Sequence, residues 1–239
     1  MPFGFTPISD HILYLLSSAS APKVRFVSKG TDMKKEQNFE RELPEGYKQA
    51  LYINAKEKKL GITLNLIAIA VLALVMWIAF LTLRLTGKLS FEILNVRVIA
   101  LLLAYLVFFA SMIGYIVLHE LVHGIAYKAL TGEKLTFGVS WSCAFCGVPQ
   151  IFTYRKVAII AVAAPFLLFS LIFIPTLILL YYLNPLYFLI FAFIFGLHLG
   201  GCSGDLYVLY LLSVKFKNKR TLMRDTGPEQ FFYLPGEGN

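Results

Sequence analysis

Four long apolar runs, separated by polar segments, dominate the pattern of the chain. They cover about residues 60–83, 98–130, 157–183 and 186–214. An apolar helix of about 20 residues, rising about 1.5 Å per residue, spans a hydrocarbon core of about 30 Å. The pattern therefore predicts four transmembrane helices forming a membrane domain over residues 60–214. Residues 1–59 are expected to be a polar segment before this domain, and residues 215–239 a basic tail after it.

The segment between the second and third apolar runs, residues 133–155, has a different pattern. It is rich in Thr, Val, Phe, Trp and Tyr and is interrupted by Gly147-Val148-Pro149. Aromatic and β-branched residues bounded by turn residues favour short strands. We therefore expect a short β-hairpin or a re-entrant insert here, within an otherwise all-α polytopic membrane protein.

The composition and the charge agree with a membrane location. Hydrophobic residues make up 58% of the chain and charged residues 15%, whereas soluble domains carry about 25% charged residues. The net charge is +8, and the bases flank the apolar runs, mainly in the N-terminal segment, the 128–156 loop and the tail. This distribution follows the positive-inside rule and does not suggest a nucleic-acid partner. It predicts a multi-pass protein of the cell membrane with both termini cytoplasmic.

The second apolar run carries an HExxH motif, His119-Glu120-Leu121-Val122-His123. Residues four apart lie on one face of a helix, so that both imidazoles can bind one zinc ion. Glu120 is then placed to take a proton from a zinc-bound water. Ionisable residues within a membrane span are costly and generally functional. The alternative is a polar helix end that faces water at the membrane interface.

Asp205 is the candidate for the third zinc ligand, because it is the only acidic residue of the fourth apolar run. It lies 19 residues after Leu186, much as His119 lies 21 residues after Val98. The second and fourth helices should cross in the same direction, so both side chains are expected at a similar depth, about 30 Å along their helices and near the cytoplasmic face. The alternative is that Asp205 only hydrogen-bonds to a neighbouring helix.

His198 lies seven residues before Asp205, on nearly the same helical face. It could support the metal site, but a contact with substrate or simple packing is the preferred interpretation. It is also the next candidate for the third ligand if Asp205 does not bind zinc. The Cys143-x-x-Cys146 pair is not accompanied by the second pair that a zinc ribbon needs. We interpret these two cysteines as small residues of a turn.

The arrangement of these motifs resembles the site-2-protease-like intramembrane zinc metalloproteases. It is more closely similar to a zincin peptidase family of prokaryotic membrane proteins. The resemblance extends from about Pro44 to the end of the chain and rests on the motifs LPEGYK, LHELVHG, GGCSGDLY and RDTGPEQFFYL. It implies that His119, His123 and Asp205 bind zinc and that Glu120 is the catalytic base. It also implies that the 133–155 insert holds an extended substrate by strand addition.

The function predicted from the sequence is hydrolysis of peptide bonds near the cytoplasmic membrane face. The substrate would be a membrane protein or a peptide, and Glu120 would act as general base beside a zinc-activated water. The alternative is a non-enzymatic zinc-binding membrane protein, either a scaffold or a partner-binding module. A metal transporter is disfavoured, because the polar residues cluster at one depth and do not line a path across the bilayer.

Overall fold

The computed structural model describes residues 38–89, 98–139 and 144–236. The expectations for the first part of the N-terminal segment, residues 1–37, and for Cys143 lie outside these ranges.

Long apolar helices form the larger part of the structure. They are α1 (Lys58–Leu85), α2 (Val98–Thr131), α3 (Arg155–Leu183), α4 (Pro185–Gly201) and α5 (Ser203–Tyr210), which continues into a π-helical turn, Leu211–Lys215. Four helical stretches of the described residues are long and apolar enough to cross a membrane: Lys58–Leu85, Phe108–Thr131, Arg155–Leu183 and Pro185–Lys215. The predicted set of four apolar spans is therefore confirmed.

The chain reverses sharply between α3 and α4 at Asn184. The side chain of Asn184 accepts hydrogen bonds from the backbone amides of Leu186 and Tyr187, at 2.8 and 3.2 Å. It is therefore the N-cap of α4, and Pro185 occupies the first helical position, where its missing N–H is not needed. A cap and a proline in succession explain why two long helices follow each other without a loop.

The prediction of an all-α fold is wrong, because the structure contains two sheets. The strands are β1 (Phe39–Glu40), β2 (Tyr47–Asn54), β3 (Thr136–Val139), β4 (Ala144–Gly147), β5 (Phe152–Tyr154), β6 (Leu222–Asp225) and β7 (Glu229–Pro235). The larger sheet is antiparallel, with strand order β1-β5-β6-β7-β2. The smaller sheet pairs β3 with β4 and is the hairpin expected within residues 133–155.

The five-stranded sheet is assembled from three segments that are distant in sequence. Strands β1 and β2 precede α1, β5 precedes α3, and β6 and β7 follow the π-helical turn. Because one sheet joins these segments, the start of α1, the start of α3 and the end of the π-helical turn lie at the same end of the helices.

Helices α1 and α4 approach each other closely along a stripe of glycines. A Cβ atom added to Gly200 would lie 2.8 Å from the backbone oxygen of Ala68, and one added to Gly196 would lie 2.7 Å from a methyl group of Leu72. Small residues at four-residue spacing allow such contact between membrane helices. The stripe brings α1 against the helical segment that carries Asp205.

Apolar side chains also bind the sheet to the membrane helices. Phe232 and Met223 of the sheet are fully buried against Ala158 of α3 and Leu212 of the π-helical turn. In addition, Arg155 donates a hydrogen bond of 2.6 Å from Nε to the carbonyl of Leu212. The sheet and the helix ends that surround the HExxH motif thus form one packed unit.

Candidate metal centre

Three predicted zinc ligands, His119 and His123 of α2 and Asp205 of α5, meet in the structure. His119 Nε2 lies 3.1 Å from Asp205 Oδ2, and His123 Nε2 lies 3.4 Å from Asp205 Oδ1. One ligand atom from each residue lies within 4.8 Å of the others. Both histidines are buried, with 8% and 7% of their surface exposed. The three side chains therefore converge on one point within the helical bundle.

A backbone carbonyl fixes the orientation of His123. Its Nδ1 lies 2.8 Å from the carbonyl oxygen of Ala161 on α3. Because a carbonyl oxygen only accepts hydrogen bonds, Nδ1 carries the proton, and in the neutral ring Nε2 presents a lone pair towards Asp205. A hydrogen bond of this kind from the nitrogen that does not bind metal is the usual support of a metal-binding histidine.

The ligand atoms of these three side chains fit a zinc ion. The neutral His123 ring and the Asp205 carboxylate both present lone pairs at a separation of 3.4 Å, and two acceptors cannot hydrogen-bond to each other. A proton or a cation between them resolves this conflict. Two imidazoles and one carboxylate are also the protein ligands of one class of catalytic zinc sites, which keep a further position open for water.

Glu120 opens onto the same cavity as the three candidate ligands. The cavity has a volume of about 270 Å³, and its walls include Asn65 of α1 and Phe145 of β4. Glu120 itself is half-buried. The carboxylate expected to act as a base therefore shares an open space with the candidate metal ligands, next to the edge of the β3–β4 hairpin.

Asp225, at the end of β6, also lines this cavity, and the sequence analysis did not identify it. Asp225 is 5% exposed. It accepts a 2.7 Å hydrogen bond from the hydroxyl of Tyr127 and a 2.9 Å hydrogen bond from the amide of Gly227. Tyr127 lies one helical turn after His123, so the pair connects the sheet to the helix of the HExxH motif. The motif RDTGPEQFFYL contains Asp225, but nothing in it pointed to a partner 98 positions away.

His198 is fully buried and does not lie between the candidate zinc ligands. Its Nδ1 lies 2.7 Å from the hydroxyl of Tyr115, and its Nε2 lies 3.1 Å from Oγ of Ser170. Ligand atoms of His119, His198 and Cys202 also lie within 4.8 Å of one another. His119 thus belongs to two clusters, one with Asp205 and one with His198.

Cys146 of β4 is buried, with 6% of its surface exposed, and it lines the same cavity. Burial is the main cause that raises the pKa of this thiol to about 12, and the nearby carboxylates Asp225 and Glu120 add to it. Cys146 therefore stays protonated at neutral pH, and a reactive thiolate is not expected at this position.

A family model described as "Putative zincin peptidase" matches residues 112–219, just under half of the chain. The matched range includes the HExxH motif and Asp205. No curated protein and no solved structure matches the chain significantly. The match supports a relationship to zincin-like peptidases for the part of the chain that holds the candidate metal centre.

Proposed function

We propose that this protein is a membrane-embedded zinc metalloprotease. The observation that carries the proposal is the convergence of His119, His123 and Asp205 beside Glu120, in one cavity among apolar helices. The zincin description of the matching family model agrees with it.

Each of these residues has a distinct role in the proposed reaction. The side chains of His119, His123 and Asp205 hold the zinc ion. When bound, zinc lowers the pKa of water and polarises a carbonyl group. Glu120 accepts a proton as general base and passes it to the leaving amine. Tyr127 and Asp225 hold the sheet against α2, which keeps the cavity walls in place.

The proposed substrate is an extended segment of a membrane protein or peptide. The backbone carbonyls of an intact helix are already hydrogen-bonded, so a helical substrate must unwind before hydrolysis. Strand β4 pairs with β3 and lines the cavity, which supports strand addition as the way in which the substrate is held. We do not expect a nucleic-acid partner.

The proposed site of cleavage is near the cytoplasmic face of the cell membrane. The basic residues that surround the sheet, among them Lys56, Lys134 and Lys219, support a cytoplasmic position for both termini. The candidate ligands lie towards the same end of the helices as the sheet.

The zinc content of the detergent-purified protein tests the site. We expect about one zinc per chain, the stoichiometry of a single catalytic site, and we expect it to be lost in both His123→Ala and Asp205→Ala. Glu120→Gln should retain zinc and lose cleavage of an unwound transmembrane peptide. Glu133→Gln is the matched control, because Glu133 pairs with Arg41 away from the cavity.

Each other outcome contradicts a defined part of the proposal. A wild-type protein without zinc, after the metal has been offered, would make the HExxH motif coincidental. Cleavage retained in Glu120→Gln would disprove the role of the base. Zinc binding without cleavage of any membrane peptide, with cellular function intact in Glu120→Gln, would favour the zinc-binding scaffold instead.

A further inference from the structure

A line of hydrogen bonds leads away from His119 into the helical bundle, on the side opposite to Asp205. His119 Nδ1 lies 3.1 Å from the hydroxyl of Tyr115. The same hydroxyl lies 2.7 Å from His198 Nδ1, and His198 Nε2 lies 3.1 Å from Oγ of Ser170. These four side chains belong to α2, α3 and α4, so the line crosses three membrane helices.

The surroundings of this line are apolar. The ring of Phe169 packs at 5.1 Å from that of Tyr115, and the ring of Phe173 packs at 5.3 Å from that of His198. A polar atom without a partner is costly in such a place. Within the described residues, every buried side-chain nitrogen and oxygen atom has a hydrogen-bond partner. The line is therefore a fully satisfied network.

The Tyr115 hydroxyl lies between two ring nitrogens, Nδ1 of His119 and Nδ1 of His198. It has one proton, so it donates to one nitrogen and accepts from the other. When His119 binds a metal through Nε2, its Nδ1 carries the proton and donates to the Tyr115 oxygen. The Tyr115 hydroxyl then donates to His198 Nδ1.

His198 Nε2 then carries the proton of the neutral ring and donates to Oγ of Ser170, 3.1 Å away. This one set of directions satisfies every group of the line and leaves the lone pair of His119 Nε2 towards Asp205. The Ala161 carbonyl selects the same tautomer in His123.

We propose that Tyr115 and His198 are positioning residues that hold His119 ready to bind zinc through Nε2. The inference rests on the proposed zinc site and adds the residues that prepare it. It also assigns Cys202, whose Sγ lies 3.7 Å from His198 Nδ1, to packing around the line and excludes it from metal binding.

Removal of the Tyr115 hydroxyl should weaken zinc binding while the fold is retained. In Tyr115→Phe the ring stays in place, but His119 loses the partner of Nδ1 and is free to change tautomer or rotate. Loss of such a supporting hydrogen bond commonly lowers metal affinity by about 10- to 100-fold. Tyr105→Phe is the matched control on the same helix, since Tyr105 is 65% exposed on the outer surface of α2.

His198 provides a second, independent pair of variants. His198→Leu removes both the acceptor and the donor and should weaken zinc binding as Tyr115→Phe does. His198→Gln supplies an amide oxygen for Tyr115 and an amide N–H for the α3 side, so it should restore part of the affinity. Recovery with glutamine and not with leucine separates a hydrogen-bonding role from simple filling of space.

The experiment measures zinc affinity, by competition with a chromophoric chelator, on the full chain in detergent. The visible spectrum of the cobalt-substituted protein reports the ligands directly. We expect a 10- to 100-fold loss of affinity and altered cobalt bands in Tyr115→Phe, with wild-type values in Tyr105→Phe. We expect no thiolate-to-cobalt charge-transfer band, and the spectrum of Cys202→Ala should equal that of the wild type.

Two results would overturn the positioning role while leaving a metal site in place. One is unchanged affinity and an unchanged cobalt spectrum in both Tyr115→Phe and His198→Leu. The other is a thiolate band that disappears in Cys202→Ala, which would place the metal in the cluster of His119, His198 and Cys202. A wild-type protein that binds neither metal would overturn the proposed function and, with it, this inference.

Discussion

At the scale of single residues, Asp225 is a residue of the sheet that lines the cavity, whereas the candidate metal ligands all lie on helices. Its carboxylate is buried, and it accepts hydrogen bonds from Tyr127 and from the amide of Gly227. Burial opposes the charged form more strongly than these two bonds favour it, so the pKa of Asp225 rises from 3.8 to about 6. The fold therefore favours the protonated carboxyl group at mildly acidic pH.

This raised pKa predicts a pH dependence of stability that Asp225→Asn should remove. Between pH 3.8 and about 6 the folded chain holds a proton on Asp225 that the unfolded chain releases. The contribution of Asp225 to the free energy of unfolding is thus largest below pH 3.8 and is lost as the pH rises through about 6. We expect the melting temperature of Asp225→Asn, relative to the chelator-treated wild type, to increase across this range. A constant difference between the two proteins would contradict the prediction.

The sequence predicts those candidate site residues whose spacing has a chemical meaning. The histidines of HExxH share a helical face. Asp205 is predicted because it is the acidic residue of the fourth apolar run and lies at a depth similar to that of His119. Tyr115 and Ser170 look like ordinary residues of apolar helices, so their link to His119 through His198 required the packed structure. Asp225 remained hidden for the same reason, because its partner Tyr127 lies on another element.

At the scale of elements, the contact between α1 and α4 depends on the missing side chain of Gly200. An added Cβ would lie 2.8 Å from the oxygen and 3.0 Å from the Cα of Ala68. Both atoms belong to the backbone of α1, so neither can move aside by a rotation about a side-chain bond. A larger residue must push the two helices apart.

Gly200→Ala and Gly201→Ala form a matched pair that tests this contact. Gly201 is the neighbouring helical glycine, and an added Cβ there meets no atom within 4 Å. We expect Gly200→Ala to lower the free energy of unfolding by about 1–3 kcal/mol, as overpacking does. Gly201→Ala should be neutral or raise it by up to about 1 kcal/mol, because alanine favours helix more than glycine. Thermal unfolding in detergent measures both, and equal effects would show that the contact is not tight.

The strands that the sequence pattern does not predict have distant partners, and several of them are very short. Strand β1 has two residues, β5 has three and β6 has four, which is too short for an alternating pattern to stand out. Strands β2 and β7 are longer, with eight and seven residues, but they pair with each other across most of the chain. The charges of residues 215–239 predict a basic tail, although Met223 and Phe232 in this segment are buried. Apolar runs of more than 20 residues, by contrast, predict membrane helices without knowledge of their partners.

At the scale of the whole molecule, the five-stranded sheet constrains how the chain crosses the membrane. It joins the segment before α1, the segment before α3 and the segment after the π-helical turn. In the proposed membrane topology these three segments share one side, and the loop after α1 lies on the other. We expect the side of the sheet to be the cytoplasm, because bases are in excess near it.

Labelling of single cysteines with a membrane-impermeant maleimide tests this arrangement, in a variant whose three native cysteines are replaced by alanine. Lys134→Cys and Lys219→Cys should react only after the membrane is opened, whereas Thr86→Cys should react in intact cells. All three positions are exposed. Labelling of Lys134→Cys and Lys219→Cys from opposite sides would contradict the shared sheet. Reversed labelling at all three positions would retain the sheet and invert the orientation.

The division of the sheet between distant segments also determines when, during synthesis, the proposed protease is complete. Asn54 of β2 precedes its neighbour Glu229 of β7 by 175 positions, and His119 precedes Asp205 by 86. A growing chain therefore contains both histidines and Glu120 well before the third ligand is made. The cavity walls at Asp225 and Gly227 follow later still. We therefore expect the proposed hydrolysis to begin only after β7 has emerged from the ribosome and has paired, so that the nascent protein would be inert during its insertion.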